Sequence, residues 1–178
     1  MNDNTTRVWC DCDTPLGRLT LSANHAGLDG LFFPGRAPAR DGADQCPERF
    51  EQAVVQLEEY FTGTRTQFDL AIDLSGGTPF QRAVWQELQT ISYGETISYG
   101  ELADRLGRGD RARAVGAAVG RTPLPIVVPC HRVIAADGKL TGYLGGLQRK
   151  QALLEMEAAV RSGHSVDELG HSRELSLF

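Results

Sequence analysis

The sequence is nearly without lysine: of 18 Lys and Arg residues, only Lys139 and Lys150 are lysines. It has no apolar run approaching the ~18–20 residues of a membrane-spanning helix. Met1–Thr6 is polar, so no signal or transit sequence is expected, and the protein is expected to be cytoplasmic. Four cysteines stand at 10, 12, 46 and 130 without a C-x-x-C pair, which argues against a disulfide framework in a reducing compartment. Cys10-Asp11-Cys12 has no His/Cys pair to complete a tetrahedral set, so no metal is expected. No internal repeat and no cofactor motif is visible, and no cofactor is expected. What is present is a soluble globular composition, 41% hydrophobic and 23% charged over 178 residues, enough for one domain or two small ones.

The net charge of −5 is unevenly spread. Residues 1–77 sum to −6, residues 78–157 to +2 and residues 158–178 to −1. Arg105–Ile134 alone holds six arginines against one acid, Asp110. A guanidinium bonds phosphate bidentately and is weakly hydrated. A high-GC genome explains the Arg:Lys ratio but not this clustering, so the acidic total does not exclude a nucleic-acid partner.

Periodicity divides the chain into an N-terminal α/β domain over 1–77, a domain over 78–157 and a flexible tail over 158–178. Arg7–Cys12, Arg18–Ala23 and Gly27–Phe33 read as three antiparallel strands separated by turn signals. A loop spans 34–47. Phe50, Val54, Leu57 and Phe61 share one face of a helix over 48–61, which Gly63 ends. Gln67–Ile72 reads as another strand. Thr78-Pro79-Phe80-Gln81 combines an N-cap, a first-turn proline and a capping-box glutamine, opening a helix to about Ile91. Ser98-Tyr99-Gly100-Glu101 is a second capping box. It starts a short helix to Leu106, and a turn then leads into a small-residue helix over Arg111–Gly120. Two short helices across a glycine turn are the sequence form of a helix-turn-helix. Ile126–Val128 reads as a buried strand, Val133–Ala136 and Lys139–Thr141 as a hairpin across Asp137-Gly138, and Leu147 to about Glu157 as the last helix.

Val128-Pro129-Cys130-His131-Arg132-Val133 is the segment that carries chemistry. A lone cysteine is usually an inert core residue. Here two nearby prolines fix the backbone, and a His and an Arg flank the sulfur, a setting expected to lower the thiol pKa and activate it.

On this segment the chain resembles the O6-alkylguanine-DNA alkyltransferase (methylated-DNA–protein-cysteine methyltransferase) family. Ile97-Ser98-Tyr99, Arg113-Ala114-Val115-Gly116 and Gly142-Tyr143-Leu144-Gly145-Gly146 match its other blocks, and Thr14-Pro15-Leu16-Gly17 matches its N-terminal part. The resemblance covers about residues 7–157. It implies an α/β fold: a small antiparallel sheet with a helix, ribonuclease H-like, followed by a helical, winged-helix-like domain containing the helix-turn-helix. It also implies a monomer that accepts the alkyl group of O6-alkylguanine, with O4-alkylthymine as a second substrate, from double-stranded DNA onto Cys130. His131 takes the thiol proton through a water, Glu157 orients the imidazole, and Tyr99 donates a proton to the departing purine. Residues 111–120 become a minor-groove recognition helix that flips the base. Arg113 fills the vacated stack, and Arg111, Ala112, Gly116, Ala117 and Arg121 lie against DNA. Val119, Thr122, Pro125, Val133, Tyr143 and Leu144 form the alkyl and base pocket. A thioether is not hydrolysed by water, so one turnover per molecule is expected. Arg111, Arg121 and Arg132 remain open between phosphate contact and structural roles.

The chain departs from the family at two pocket positions. Thr122 stands where the family has an asparagine that braces the turn between recognition helix and nucleophile. Leu144 replaces a smaller or polar residue. The tail ends in Glu174-Leu175-Ser176-Leu177-Phe178, which resembles the short peptide that binds the bacterial replication sliding clamp; a hydrophobic patch folding back on the protein is the plainer alternative. Rival readings are a lesion-binding protein that cannot accept the group, which the presence of Cys130 opposes, a helix-turn-helix regulator, and a Cys-His hydrolase, for which no oxyanion hole is evident.

Overall fold

The computed structural model describes residues 7–39 and 46–166. Residues 40–45 of the expected loop, and the peptide Glu174–Phe178, lie outside the described residues. The chain forms two compact units, one running to Asp73 and including Val166, the other Leu74–Ser165. Among the described residues no helix is long and apolar enough to cross a membrane.

The first unit is built on an antiparallel meander of β1 (Val8–Thr14), β2 (Gly17–Asn24) and β3 (Gly27–Phe32), ordered β1-β2-β3. Gly27 is required at its hairpin: its φ is +147°, and a Cβ there would come within 2.4 Å of the Ala71 carbonyl. The inner face carries Leu19, Leu21 and Leu31. Helix α1 (Glu51–Phe61) begins after a 3-10 turn at Pro47–Phe50, later than its periodicity suggests. Phe50, Leu57 and Phe61 are buried as expected; Tyr60 joins them, while Val54 is only half-buried. The expected strand over 67–72 shrinks to one bridge between Ile72 and Leu28. The buried Gln56 amide explains this: its Nε2 donates to Asp69 O at 2.8 Å, and its Oε1 accepts from Asp69 N at 2.7 Å. A side chain thus takes the backbone groups that a ladder would use.

The second unit opens with α2 (Pro79–Leu88), whose capping box is formed: Gln81 N donates to Thr78 Oγ1 at 3.2 Å and Thr78 N to Gln81 Oε1 at 2.9 Å. Ile97–Ser98 (β4) leads into α3 (Tyr99–Arg105), again with a complete box between Ser98 and Glu101. A 3-10 turn at Gly109–Arg111 precedes α4 (Ala112–Val119). The inner face of α4 is Val115, Ala118 and Val119, packed on α2 and α3. The Trp85 indole of α2 donates to Ala118 O at 2.9 Å, fixing α4 at its C-terminal turn.

Two local expectations in this unit are corrected. Residues 126–128 form a turn, with Ile126 at φ +78° and Val128 N donating to Leu124 O at 2.8 Å. The Asp137-Gly138 turn forms, but the strand before it, β5 (Val133–Ile134), pairs in parallel with β4 instead of with 139–141. The Val133 and Thr141 carbonyls are both taken by the Lys150 ammonium, at 2.6 and 2.9 Å, so the second arm has no ladder. Helix α5 (Leu147–Arg161) continues four residues beyond Glu157, since Ala158, Ala159 and Val160 offer no break before Gly163 at φ +82°. The small antiparallel sheet and the helical second half have the architecture expected from the sequence.

Candidate active site

Cys130 is presented by a tightly constrained piece of backbone. Pro129, at φ −79° and ψ 58°, centres an inverse γ-turn closed by Cys130 N donating to Val128 O at 2.7 Å, and the proline ring fixes that φ. Cys130–Arg132 then makes one 3-10 turn. Upstream, the left-handed conformation of Ile126 costs a β-branched residue about 1–3 kcal/mol. The side chain is 1% exposed, so packing holds it there.

The turn sends His131 and Arg132 onto one carboxylate. His131 Nε2 lies 2.9 Å from Glu157 Oε1. Arg132 donates Nε to Glu157 Oε2 at 2.9 Å and Nη2 to Oε1 at 2.8 Å, a bidentate pair, while its Nη1 donates to Ile91 O at 2.6 Å. Gly94 N adds a bond to Oε2 at 3.0 Å. His131 and Glu157 are wholly buried. Helix phase puts Lys150, Leu153, Met156 and Glu157 on the buried face of α5, whereas Glu155 is exposed and takes a bond from Gln151. Arg132 is therefore committed to the interior, which separates it from Arg111, Arg113 and Arg121, all exposed.

Burial alone would push the Glu157 carboxyl up, but hydrogen bonds and charge from His131 and Arg132 outweigh it and hold the group well below the usual carboxylate range. Burial lowers the His131 pKa, an effect that Glu157 offsets in part. The imidazole is thus neutral, donates from Nε2 to an acceptor-only carboxylate, and leaves Nδ1 with its lone pair. Cys130 does not behave as its flanking residues suggest. Burial pushes its thiol up to about 12, against smaller opposing effects from Thr122, Lys150 and the backbone N–H groups of Cys130 and His131. The resting sulfur is a thiol, because full desolvation of the anion outweighs its neighbours.

Lys150 is the group that sequence reasoning passed over. It is fully buried, holds the Val133 and Thr141 carbonyls, lies 5.9 Å from the centre of the Tyr99 ring and attracts negative charge on Cys130. Burial lowers its own pKa. Its signals were being one of two lysines and standing seven residues, two helical turns, before Glu157.

The remaining site residues fall around this core. Tyr99 is half-buried at the first turn of α3, and its hydroxyl donates to Thr141 O at 3.3 Å. Gly116 of α4 faces the same ring, which a Cβ there would meet at 3.5 Å. Tyr143 stands edge-on to His131 at 6.5 Å between ring centres, and burial first, then negative charge at Cys130, raises its hydroxyl pKa well above normal. Val119, Thr122, Pro125 and Val133 are buried, while Leu144 is half-buried. On α4, Arg113, Ala114 and Ala117 are exposed and Ala112 and Gly116 half-exposed, leaving a shallow face of small side chains with one arginine.

A buried cysteine beside a His–Glu pair, in the same unit as a small-faced helix-turn-helix, matches a known class in both halves of the chain. Residues 79–159 match the family model described as 6-O-methylguanine DNA methyltransferase, DNA binding domain. Residues 9–74 match that described as 6-O-methylguanine DNA methyltransferase, ribonuclease-like domain. The methylated-DNA–protein-cysteine methyltransferase of Mycolicibacterium paratuberculosis is 53% identical over 147 residues, 82% of this chain and 88% of that protein. A crystal structure of Mycobacterium tuberculosis OGT in complex with DNA is similar with a TM-score of 0.80 and 50% identity, over 86% of this chain and 94% of that one. The O6-methylguanine-DNA methyltransferase of the archaeon Pyrococcus kodakaraensis is similar with a TM-score of 0.63 and 26% identity, over 85% and 98%. The class is that of DNA-repair methyltransferases whose acceptor is a protein cysteine. The chain belongs to the 6-O-methylguanine DNA methyltransferase family.

Proposed function

We propose that the protein reverses O6-alkylguanine damage, and O4-alkylthymine damage, in duplex DNA by moving the alkyl group to Cys130 once and irreversibly. The observation that carries this reading is Cys130 held next to a wholly buried, neutral His131 whose Nε2 is committed to Glu157. The thiol proton passes through a water to His131 Nδ1, and Glu157 stabilises the imidazolium. The sulfur pair attacks the alkyl carbon in line, the carbon–O6 bond breaks, and its electrons move onto the purine. Tyr99 gives the purine a proton, and the protons gained by His131 and lost by Tyr99 balance through solvent. A thiol raised to about 12 fits a sulfur that ionises only as the relay takes its proton. The product is a thioether, which water does not hydrolyse, so the chain is spent.

The base reaches the pocket by flipping. The exposed small side chains of α4 suit close approach to a minor groove, with Arg113 entering the stack and Arg111, Ala112, Gly116, Ala117 and Arg121 along the DNA. Val119, Thr122, Pro125, Val133, Tyr143 and Leu144 wall the base and alkyl group. The working form in this reading is a monomer acting in the cytoplasm. Glu174–Phe178 is proposed as a sliding-clamp peptide, tested by clamp pull-down with and without the tail. The central test is stoichiometry. With excess duplex carrying radiolabelled O6-methylguanine, one label per chain is expected at completion. Continued transfer beyond one per chain overturns the single-turnover reading.

A further inference from the structure

We infer that Arg132 is a positioning residue for the base of the relay: by sharing the Glu157 carboxylate with His131, it leaves the imidazole uncharged at rest and open to the Cys130 proton. Arg132 Nη2 and His131 Nε2 converge on one oxygen, Glu157 Oε1, at 2.8 and 2.9 Å. The other oxygen, Oε2, accepts from Arg132 Nε at 2.9 Å and from Gly94 N at 3.0 Å. The guanidinium is fixed in turn by Nη1, which donates to Ile91 O at 2.6 Å, and its carbon lies 5.5 Å from the centre of the Tyr93 ring. Gly94 sits at φ +71°, where a Cβ would come within 3.1 Å of the Glu157 carbonyl oxygen, so the turn reaches the carboxylate because this residue is glycine.

Sharing matters because of charge. Glu157 brings one negative charge and Arg132 one positive, and the pair is neutral before His131 is counted. His131 and Glu157 are 0% exposed and Arg132 6%. A second cation on His131 would leave net positive charge in a dry interior, at a high desolvation cost. The other groups facing the imidazole add no anion to offset it. Lys150 of α5 is a further buried cation, Tyr143 stands edge-on with its hydroxyl protonated, and Cys130 is a thiol. Tyr93, over Arg132, is also protonated. Without the guanidinium the count reverses. Glu157 would be uncompensated, and the imidazole, ordinarily more basic than a carboxylate, would take up a proton as its countercharge. An imidazolium has no lone pair at Nδ1 with which to receive the thiol proton. With Arg132 in place, His131 becomes charged only as that proton arrives through the water, and the thiolate left on Cys130 balances it.

This inference rests on the proposed transfer to Cys130, and the experiment separates the two. The rate of methyl transfer from an O6-methylguanine duplex is measured against pH for the wild-type protein, Arg132→Met and Arg132→Lys. The charge state of the His131 ring is followed alongside by nitrogen-15 NMR, which needs no transfer. In Arg132→Met the acid limb of the rate profile should rise by about one to two pH units, so that transfer near pH 6 slows about tenfold to a hundredfold. The rate should recover toward wild type by about pH 9, and the imidazolium signal should persist to correspondingly higher pH. Arg132→Lys keeps the charge and should keep the wild-type profile. An unshifted profile in Arg132→Met, an equal slowing at every pH, or an Arg132→Lys profile displaced as far as that of Arg132→Met overturns the inference. If Arg132→Met does not fold, the wild-type ring decides. A neutral imidazole protonated at Nε2 at and below about pH 6.5, the ordinary histidine value, supports the inference, and an imidazolium there overturns it. Absence of transfer by the wild-type protein defeats the proposed function instead.

Discussion

At the residue scale, the site sets one buried carboxylate, Glu157, among three buried basic side chains, His131, Arg132 and Lys150. The carboxylate of Glu157 accepts four hydrogen bonds, three from His131 and Arg132 and one from Gly94 N. Removing one partner of such a cluster leaves an uncompensated buried charge, at a cost of about 3–5 kcal/mol. The thiol has a different signature. Its folded pKa of about 12 exceeds the ordinary value of 9.0, so the folded protein holds a proton that the unfolded chain releases. Linkage then makes stability fall as pH rises above about 9 toward 12. Wild type should lose more stability over that interval than Cys130→Ser in urea titrations at each pH. Equal losses would show that the sulfur is not held as a buried thiol. Cys130 and His131 were legible in the sequence because they are adjacent. Arg132 and Lys150 were not, because the partners that define them are a carboxylate 25 residues away and main-chain carbonyls, which carry no side-chain signal.

At the element scale, the sequence told most where local chemistry decides. Both capping boxes were readable because they close within three residues. The segments misread as strands were decided by distant groups: Gln56 captures Asp69, and Lys150 captures the carbonyls of Val133 and Thr141. The apolar run at 126–128 was misread for another reason, since a β-branched residue at φ +78° gives no sequence warning. Helix α4 combines a packed side with an exposed side of small residues. Ala117 is exposed, so Ala117→Glu should leave stability within about 0.5 kcal/mol. Placing a carboxylate against phosphate should weaken duplex binding at least about tenfold. Tight binding retained by Ala117→Glu in a fluorescence titration would remove α4 from the DNA interface.

At the scale of the whole molecule, the sequence total of −5 hides a division of labour. The acidic half lies in the sheet-bearing unit, and the arginine-rich stretch lies in the unit that holds α4 and Cys130. A short basic stretch on an acidic protein neutralises few phosphates, so duplex affinity should depend shallowly on salt. A logarithmic slope implying about ten or more contacts would contradict that reading. The atom that decides the function is the Cys130 sulfur, and a peptide mass map after incubation with a duplex containing O6-methylguanine reads it. A single added methyl is expected on the peptide that contains Cys130, and none in Cys130→Ser. A methyl elsewhere, or an unmodified Cys130 peptide after the duplex has been repaired, would contradict it.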